Sequence, residues 1–188
     1  IFHTRESYIG RFLQNVASLY RALMIKIYLH PKNCLDVGCG TGKLVKMLRL
    51  LGVDAQGVEI SKTAREMANK TVRSYIKEGD MLNLPFKDNT FELVVTYDVL
   101  ERIERSKINK AVEECNRVSS KYVLHKIYTL ENGWMRLFHK RDFSRISVFM
   151  KKFWNKIFLP LKETSVLKGS LFKLPTFFET VYLLKKKS

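Results

Sequence analysis

Three carboxylates and a run of glycines carry the chemistry legible in this chain. In Asp36-Val37-Gly38-Cys39-Gly40-Thr41-Gly42 the glycines fall at alternate positions after a short apolar run. Glycine there permits a tight turn and lets a ligand approach the backbone closely. A helix opening after the turn would offer free N–H groups to a carboxylate or phosphate. The spacing is not Gly-x-Gly-x-x-Gly, because the third glycine comes one residue early, and no Gly-Lys-Ser/Thr ending supports a nucleotide-triphosphate loop. Such a turn alone also fits a ligand-free connection between strand and helix. Glu59 follows 23 positions after Asp36, where its carboxylate can accept from both hydroxyls of a ribose. Asp80 follows 21 positions later and can accept from an exocyclic amine of adenine. Each acid alone is an ordinary loop carboxylate; three in order at successive strand tips form a constellation.

The elements that must position these groups can be read from periodicity. Residues 4–30 carry apolar side chains near a three-to-four spacing, which predicts a helix stopped by Pro31. Asn33 to Val37 reads as a buried strand, Thr41 to Leu51 as a helix capped by Gly52, and Asp54 to Ile60 as a second strand. Ser61 is an N-cap for one helix to about Thr71. Strands at Ser74 to Glu78, Phe91 to Tyr97 and Tyr122 to Tyr128 follow, with a helix from Lys107 to Val118. A last helix is expected from Ser144 to about Phe158, then paired strands Ser165 to Phe172 and Phe177 to Leu184. This alternation predicts an α/β fold: a doubly wound, mostly parallel sheet with one antiparallel member at the edge. In such sheets ligands bind outside the carboxyl ends of the strands, where strand order reverses.

Cys34 to Gly42 resembles motif I of class I S-adenosylmethionine-dependent methyltransferases. Gly57-Val58-Glu59-Ile60-Ser61 is similar to the family's second motif, and Gly79-Asp80-Met81-Leu82-Asn83-Leu84-Pro85-Phe86 to its third. The segment Phe91 to Ile103 resembles the fourth-strand region of the small-molecule, ubiquinone-methyltransferase-like branch. The resemblance implies a Rossmann-like seven-stranded sheet and S-adenosyl-L-methionine as cofactor. It implies Asp36 near the methionine amino group, with Gly38 and Gly40 giving backbone access. Glu59 would take the ribose hydroxyls, Ile60 would pack on the adenine, and Asp80 would accept from its amine beside the Met81 backbone. Tyr97 would lie near the methionine portion. Tyr8 either closes over the pocket or is a core aromatic. Arg102 departs from the branch, which often has His there. His139-Lys140-Arg141-Asp142-Phe143-Ser144 resembles a segment before the last helix, leaving His139 to face substrate or to fix its loop.

Methyl transfer from a sulfonium is an in-line displacement, so alignment and exclusion of water supply much of the catalysis. A base is needed only for an acceptor protonated at working pH. Asp98, Glu101, His125 and His139 are candidates at strand ends, with Asp98 and His139 kept as catalytic possibilities. No Asn/Asp-Pro-Pro-aromatic run follows the fourth strand and no Pro-Cys pair is present, which disfavours two classes of nucleic-acid base methylation. The resemblance to the small-molecule branch implies a small-molecule acceptor, with an RNA acceptor or a non-catalytic binding module that keeps the cofactor fold as alternatives. Residues 129–143, with Trp134, Met135 and Phe138, are expected to cover the acceptor in part.

Composition sets outer bounds. The 188 residues, 46% hydrophobic and 28% charged, fit one globular domain. It is expected as a helical cover over 1–31, a cofactor-binding core over 32–128, and a substrate-side loop, helix and strand pair over 129–188. No apolar run approaches the roughly 20 residues of a membrane span, and no signal-peptide pattern is read at the start, so cytoplasmic is the default. Three cysteines without metal-type spacing read as reduced thiols, and no metal is expected. The net charge is +16, of which residues 119–188 carry 15 basic against 4 acidic side chains. That excess favours RNA or another anionic partner, or serves solubility alone.

Overall fold

The structure, a computed structural model, describes residues 8–129, 146–147, 149–158, 164–166 and 179–186. The chain runs α1 (Tyr8–Leu29), β1 (Asn33–Val37), α2 (Lys43–Leu50), β2 (Asp54–Glu59), α3 (Lys62–Glu66), α4 (Lys70–Arg73), β3 (Ile76–Glu78) and β4 (Phe91–Tyr97). Two 3₁₀ turns, Leu100–Arg102 and Arg105–Lys107, lead into α5 (Ile108–Val118) and β5 (Ser119–Tyr128). Then come α6 (Lys151–Phe158), β6 (Thr164–Val166) and β7 (Glu179–Lys185). Among the described residues the seven strands form one sheet in the order β3-β2-β1-β4-β5-β7-β6. The first five are parallel; β7 runs antiparallel to β5 and to the three-residue β6 outside it. Strand order reverses between β1 and β4, so the crevice for a ligand opens above those two strands.

Successive side chains on a strand point to opposite faces, and both faces of this sheet are covered. On β4, Leu93 and Val95 join a core with Ala22 and Ile25 of α1 and Leu44, Val45 and Leu48 of α2. Phe91 and Val94 join the other core, with Val112 and Cys115 of α5 and Trp154 and Phe158 of α6. The same parity turns Asp36 toward the α1 side, because Leu35 and Val37 fill the opposite core.

The boundaries of β1 and β4 match the sequence reading, and Ser61 caps a helix by accepting from the Ala64 N–H. The single helix expected over 61–71 is two short ones. The Asn69 side chain accepts from the Thr71 N–H and starts α4 afresh, so a second cap competes with continuation. The late strand pair is present as β6 and β7; the remainder of the two expected runs, within residues 167–178, lies outside the described residues. Helix α6 begins at Lys151, and the expected cap Ser144 also lies outside them.

Arg117 of α5 ties down the loop that follows Asp80. Its guanidinium donates to the Leu84 and Phe86 carbonyls at 3.0 and 2.8 Å and to Asp88 at 2.8 Å. It also donates to both oxygens of the buried Glu114 at 2.8 Å, and Glu114 accepts from the Leu84 N–H at 2.9 Å. This pairing holds the Glu114 carboxyl well below the usual carboxylate range. Arg117→Ala leaves a buried acid without its main partner and is expected to lower unfolding free energy by about 2–3 kcal/mol in urea titration.

Candidate active site

The glycine turn is bound to the end of β2 at three points. Gly38 and Cys39 both donate their N–H to the Val58 carbonyl, at 2.8 and 3.1 Å. The Gly40 N–H donates to Glu59 Oε2 at 2.8 Å, while Glu59 Oε1 accepts from the Ser61 N–H at 2.8 Å. Glu59 thus fixes the turn and caps its own strand. Each of its oxygens retains a second lone-pair direction for another donor. Gly38 has φ +72°, and a Cβ there would stand 2.6 Å from Val99 Cγ2. Gly40 has φ +55° with open space where its Cβ would be. The first glycine is needed for packing, the second leaves room in the cleft.

Asp36 is 4% exposed at the tip of β1. Burial pushes its carboxyl up to about 7; Arg21 opposes the rise and Glu59 adds to it. Arg21 comes from α1 and lies 4.8 Å over the Tyr97 ring. Sequence reasoning missed Arg21, whose signal was present: it is the only charged residue between Phe12 and Ile25.

Asp36, Gly38, Gly40, Glu59, Ile60, Asp80, Met81, Tyr97 and Asp98 all line one cleft of about 1000 Å³. Ile60 is 64% exposed at its edge, whereas Met81 is 9% exposed and also packs in the core. Asp80 is exposed, and its Oδ1 accepts from the Leu82 N–H at 2.9 Å. From α1, Leu13, Gln14, Ala17, Ser18 and Arg21 close one wall. Val99, Arg102, Ile103 and Lys107 form the side beyond β4. Both oxygens of Asp98 accept from Lys126 Nζ at 2.7 Å, and the Arg102 Nε donates to the Asp98 carbonyl.

Two expected bases do not reach the cleft. His125 is fully buried on the α6 side, its Nδ1 2.8 Å from Thr96 Oγ1 and its ring stacked on Phe158. Burial lowers its pKa to about 3, so the ring is neutral at ordinary pH. Its strand position carries it to the opposite face from Tyr97. Glu101 is also fully buried, with Oε1 accepting from the Tyr128 N–H. His139, Trp134, Met135, Phe138 and the side chain of Tyr8 lie outside the described residues. Among those described, no three His, Cys, Asp or Glu side chains gather as a metal site, and no helix is long and apolar enough to cross a membrane.

Comparison with known proteins locates this architecture. Over 100% of the chain it superposes, with TM-score 0.69 and 14% identity, on 86% of magnesium protoporphyrin IX methyltransferase from Synechocystis, a structure with S-adenosylmethionine bound. That likeness defines the fold class. Residues 35–122 match the family model described as a methyltransferase domain. Norajmaline N-methyltransferase of Rauvolfia serpentina is 34% identical over 98 residues, 48% of this chain and 33% of that protein. A tRNA N(3)-methylcytidine methyltransferase of Drosophila melanogaster is 25% identical over 138 residues, 66% of this chain and 38% of that one. The chain thus spans about a third of the length of the first relative and 38% of the second. Over residues 35–122 it is similar to methyltransferase domains, and its fold is the one these enzymes share.

Two results are expected from the site's geometry. A carboxyl whose folded pKa is raised stabilises the fold relative to the unfolded chain only while protonated, and that contribution is lost as pH rises through about 7. Asp36→Asn should therefore raise the melting temperature of the ligand-free protein at about pH 8 and raise it less at about pH 5.5; an equal shift at both would contradict the burial argument. Gly38→Ala should cost about 2–4 kcal/mol through backbone and Val99 clashes, against about 1 kcal/mol for Gly40→Ala, by chemical denaturation.

Proposed function

We propose that the chain binds S-adenosylmethionine in this cleft and transfers its methyl group to a small-molecule acceptor. The acceptor enters on the side formed by Tyr97, Asp98 and Arg102. One observation carries the reading: a left-handed glycine turn and three acids from successive strand tips line a single cleft. The residues present fit the cofactor. Asp36 is a buried carboxylate whose ionisation is penalised until a cation approaches it, which suits the ammonium and sulfonium of the methionine end. The unused lone pairs of Glu59 accept from ribose hydroxyls, and Asp80 Oδ2 accepts from the adenine amine while Oδ1 stays with Leu82. Ile60 offers an exposed apolar side chain to the adenine face, with the Met81 backbone beside it.

The cofactor supplies an electrophilic methyl group on a good leaving group. The chain's own part is alignment: α1 closes the wall opposite the strand tips and keeps water from the methionine end. Arg21 over Tyr97 holds that ring at the boundary between cofactor and acceptor. Asp98 is committed through both oxygens to Lys126, which suits it to orient an acceptor rather than to take its proton. Arg102 and Lys107 make this side cationic and favour an acceptor with an anionic group, although Glu104 pairs with Lys107 at 3.2 Å. A second reading, an RNA acceptor, draws on the +16 charge and on similarity to an enzyme named for tRNA. The missing Pro-Pro-aromatic run weighs against the base-amine form of that chemistry.

Calorimetry with S-adenosylmethionine, S-adenosylhomocysteine and NAD, then label transfer into small-molecule and RNA pools, tests both readings. Glu59→Ala and Asp80→Ala should each weaken binding of S-adenosylmethionine by about 1–3 kcal/mol. Unchanged affinity in both, or equal binding of NAD, would remove the cofactor assignment. Label appearing only in RNA, with affinity falling steeply as salt rises, would replace the small-molecule acceptor.

A further inference from the structure

Helix α1 carries apolar residues on two opposite sides. Ala22 and Ile25 are fully buried against the sheet. Away from it, Phe12 is 66% exposed, Val16 47%, Leu19 41% and Ile27 51%. Positions 12, 16, 19 and 27 fall on one helical stripe, where the outer face of a domain helix is normally polar. A contiguous apolar patch of this kind marks an interaction surface.

The charge around the stripe identifies what it meets. Residues 7–53 contain seven Lys and Arg and a single acid, the buried Asp36. Neither α1 nor α2 contains an acidic residue. The two helices pack together; Lys43 of α2 donates to Gln14 of α1 on the cleft side of that helix, while Lys26 of α1 falls at the border of the stripe. Lys26 and Lys46 add to the same pair of helices, whereas Arg49 is turned to Asp54. Leu50, at the end of α2, is 70% exposed.

We propose that the outer side of α1, with the adjoining surface of α2, docks on an anionic lipid surface. Aliphatic and aromatic side chains on one stripe of a basic helix gain from the acyl boundary, and the flanking cations gain from anionic headgroups. An RNA partner would engage the cations but would leave Val16, Leu19 and Ile27 in water. Gln14 and Arg21, on the other side of the same helix, line the cleft, so docking through the stripe leaves the cleft uncovered. The proposal is independent of methyl transfer: lipid binding is read without turnover, and failure of either leaves the other standing.

The test is flotation of the whole chain with vesicles of phosphatidylcholine alone and with about 30% phosphatidylglycerol. The chain should float with the anionic vesicles and about tenfold less with the neutral ones, and raised salt should weaken binding. Phe12→Ser with Val16→Ser should reduce flotation about tenfold while an unchanged circular-dichroism melting curve, measured in parallel, reports an intact fold. Lys26→Glu with Lys46→Glu should reduce it on anionic vesicles through charge alone. The proposal is overturned by equal flotation on both compositions, by no flotation on either, or by flotation that neither variant lowers. It is equally overturned if sedimentation shows a dimer that the serine variant dissociates, which would make a second copy the occupant. An RNA oligonucleotide that binds while vesicles do not would likewise overturn it.

Discussion

Burying one carboxylate at the tip of β1 governs the rest of this structure. Asp36 stands where strand order reverses, turned to the α1 side by the alternation that sends Leu35 and Val37 into the other core. A charged group there is unfavourable by itself. Arg21 offsets part of that penalty from the covering helix, so α1 belongs to the electrostatics of the site as well as to its wall. The glycine turn must then leave β1 sharply enough to keep the carboxylate in an open crevice, and Glu59 holds the turn in that shape through the Gly40 N–H. Fold and cofactor chemistry meet in these few contacts.

The parts of the site differ in how rigidly they are held. The Glu59 corner is bonded to two backbone amides, whereas Asp80 is exposed and gains its position from the loop behind it. That loop is anchored from below by Arg117, which gathers two carbonyls and two carboxylates. The Asp80 end of the cleft therefore depends on α5, and the Asp36 end on α1. Two helices on opposite sides of the sheet control the two halves of one cleft.

Much of this was legible in the sequence because parallel strands buried on both faces read as unbroken apolar runs closed by glycine or a polar residue. Asn33 to Val37 and Phe91 to Tyr97 are such runs, and their ends fell where the structure has them. The same double burial hid which way each residue faces. His125 looked like a strand-end base, yet its parity sends it under Phe158. The break between α3 and α4 was hidden because Asn69 is an acceptable interior residue until its side chain caps the next turn. Arg21 differs again: it stands out in the sequence as a lone charge in an apolar helix, but its partners, Asp36 and Tyr97, are set by tertiary packing.

Asp98 adopts the left-handed conformation, φ +58°, in which glycine would fit with less strain. The chain keeps a side chain there, and Lys126, 2% exposed, depends on it for charge compensation. The two positions therefore form a unit of inheritance: drift at residue 98 toward glycine relaxes the backbone but takes two carboxylate acceptors from a buried ammonium. Across divergent descendants, loss of the acid should travel with loss of the lysine.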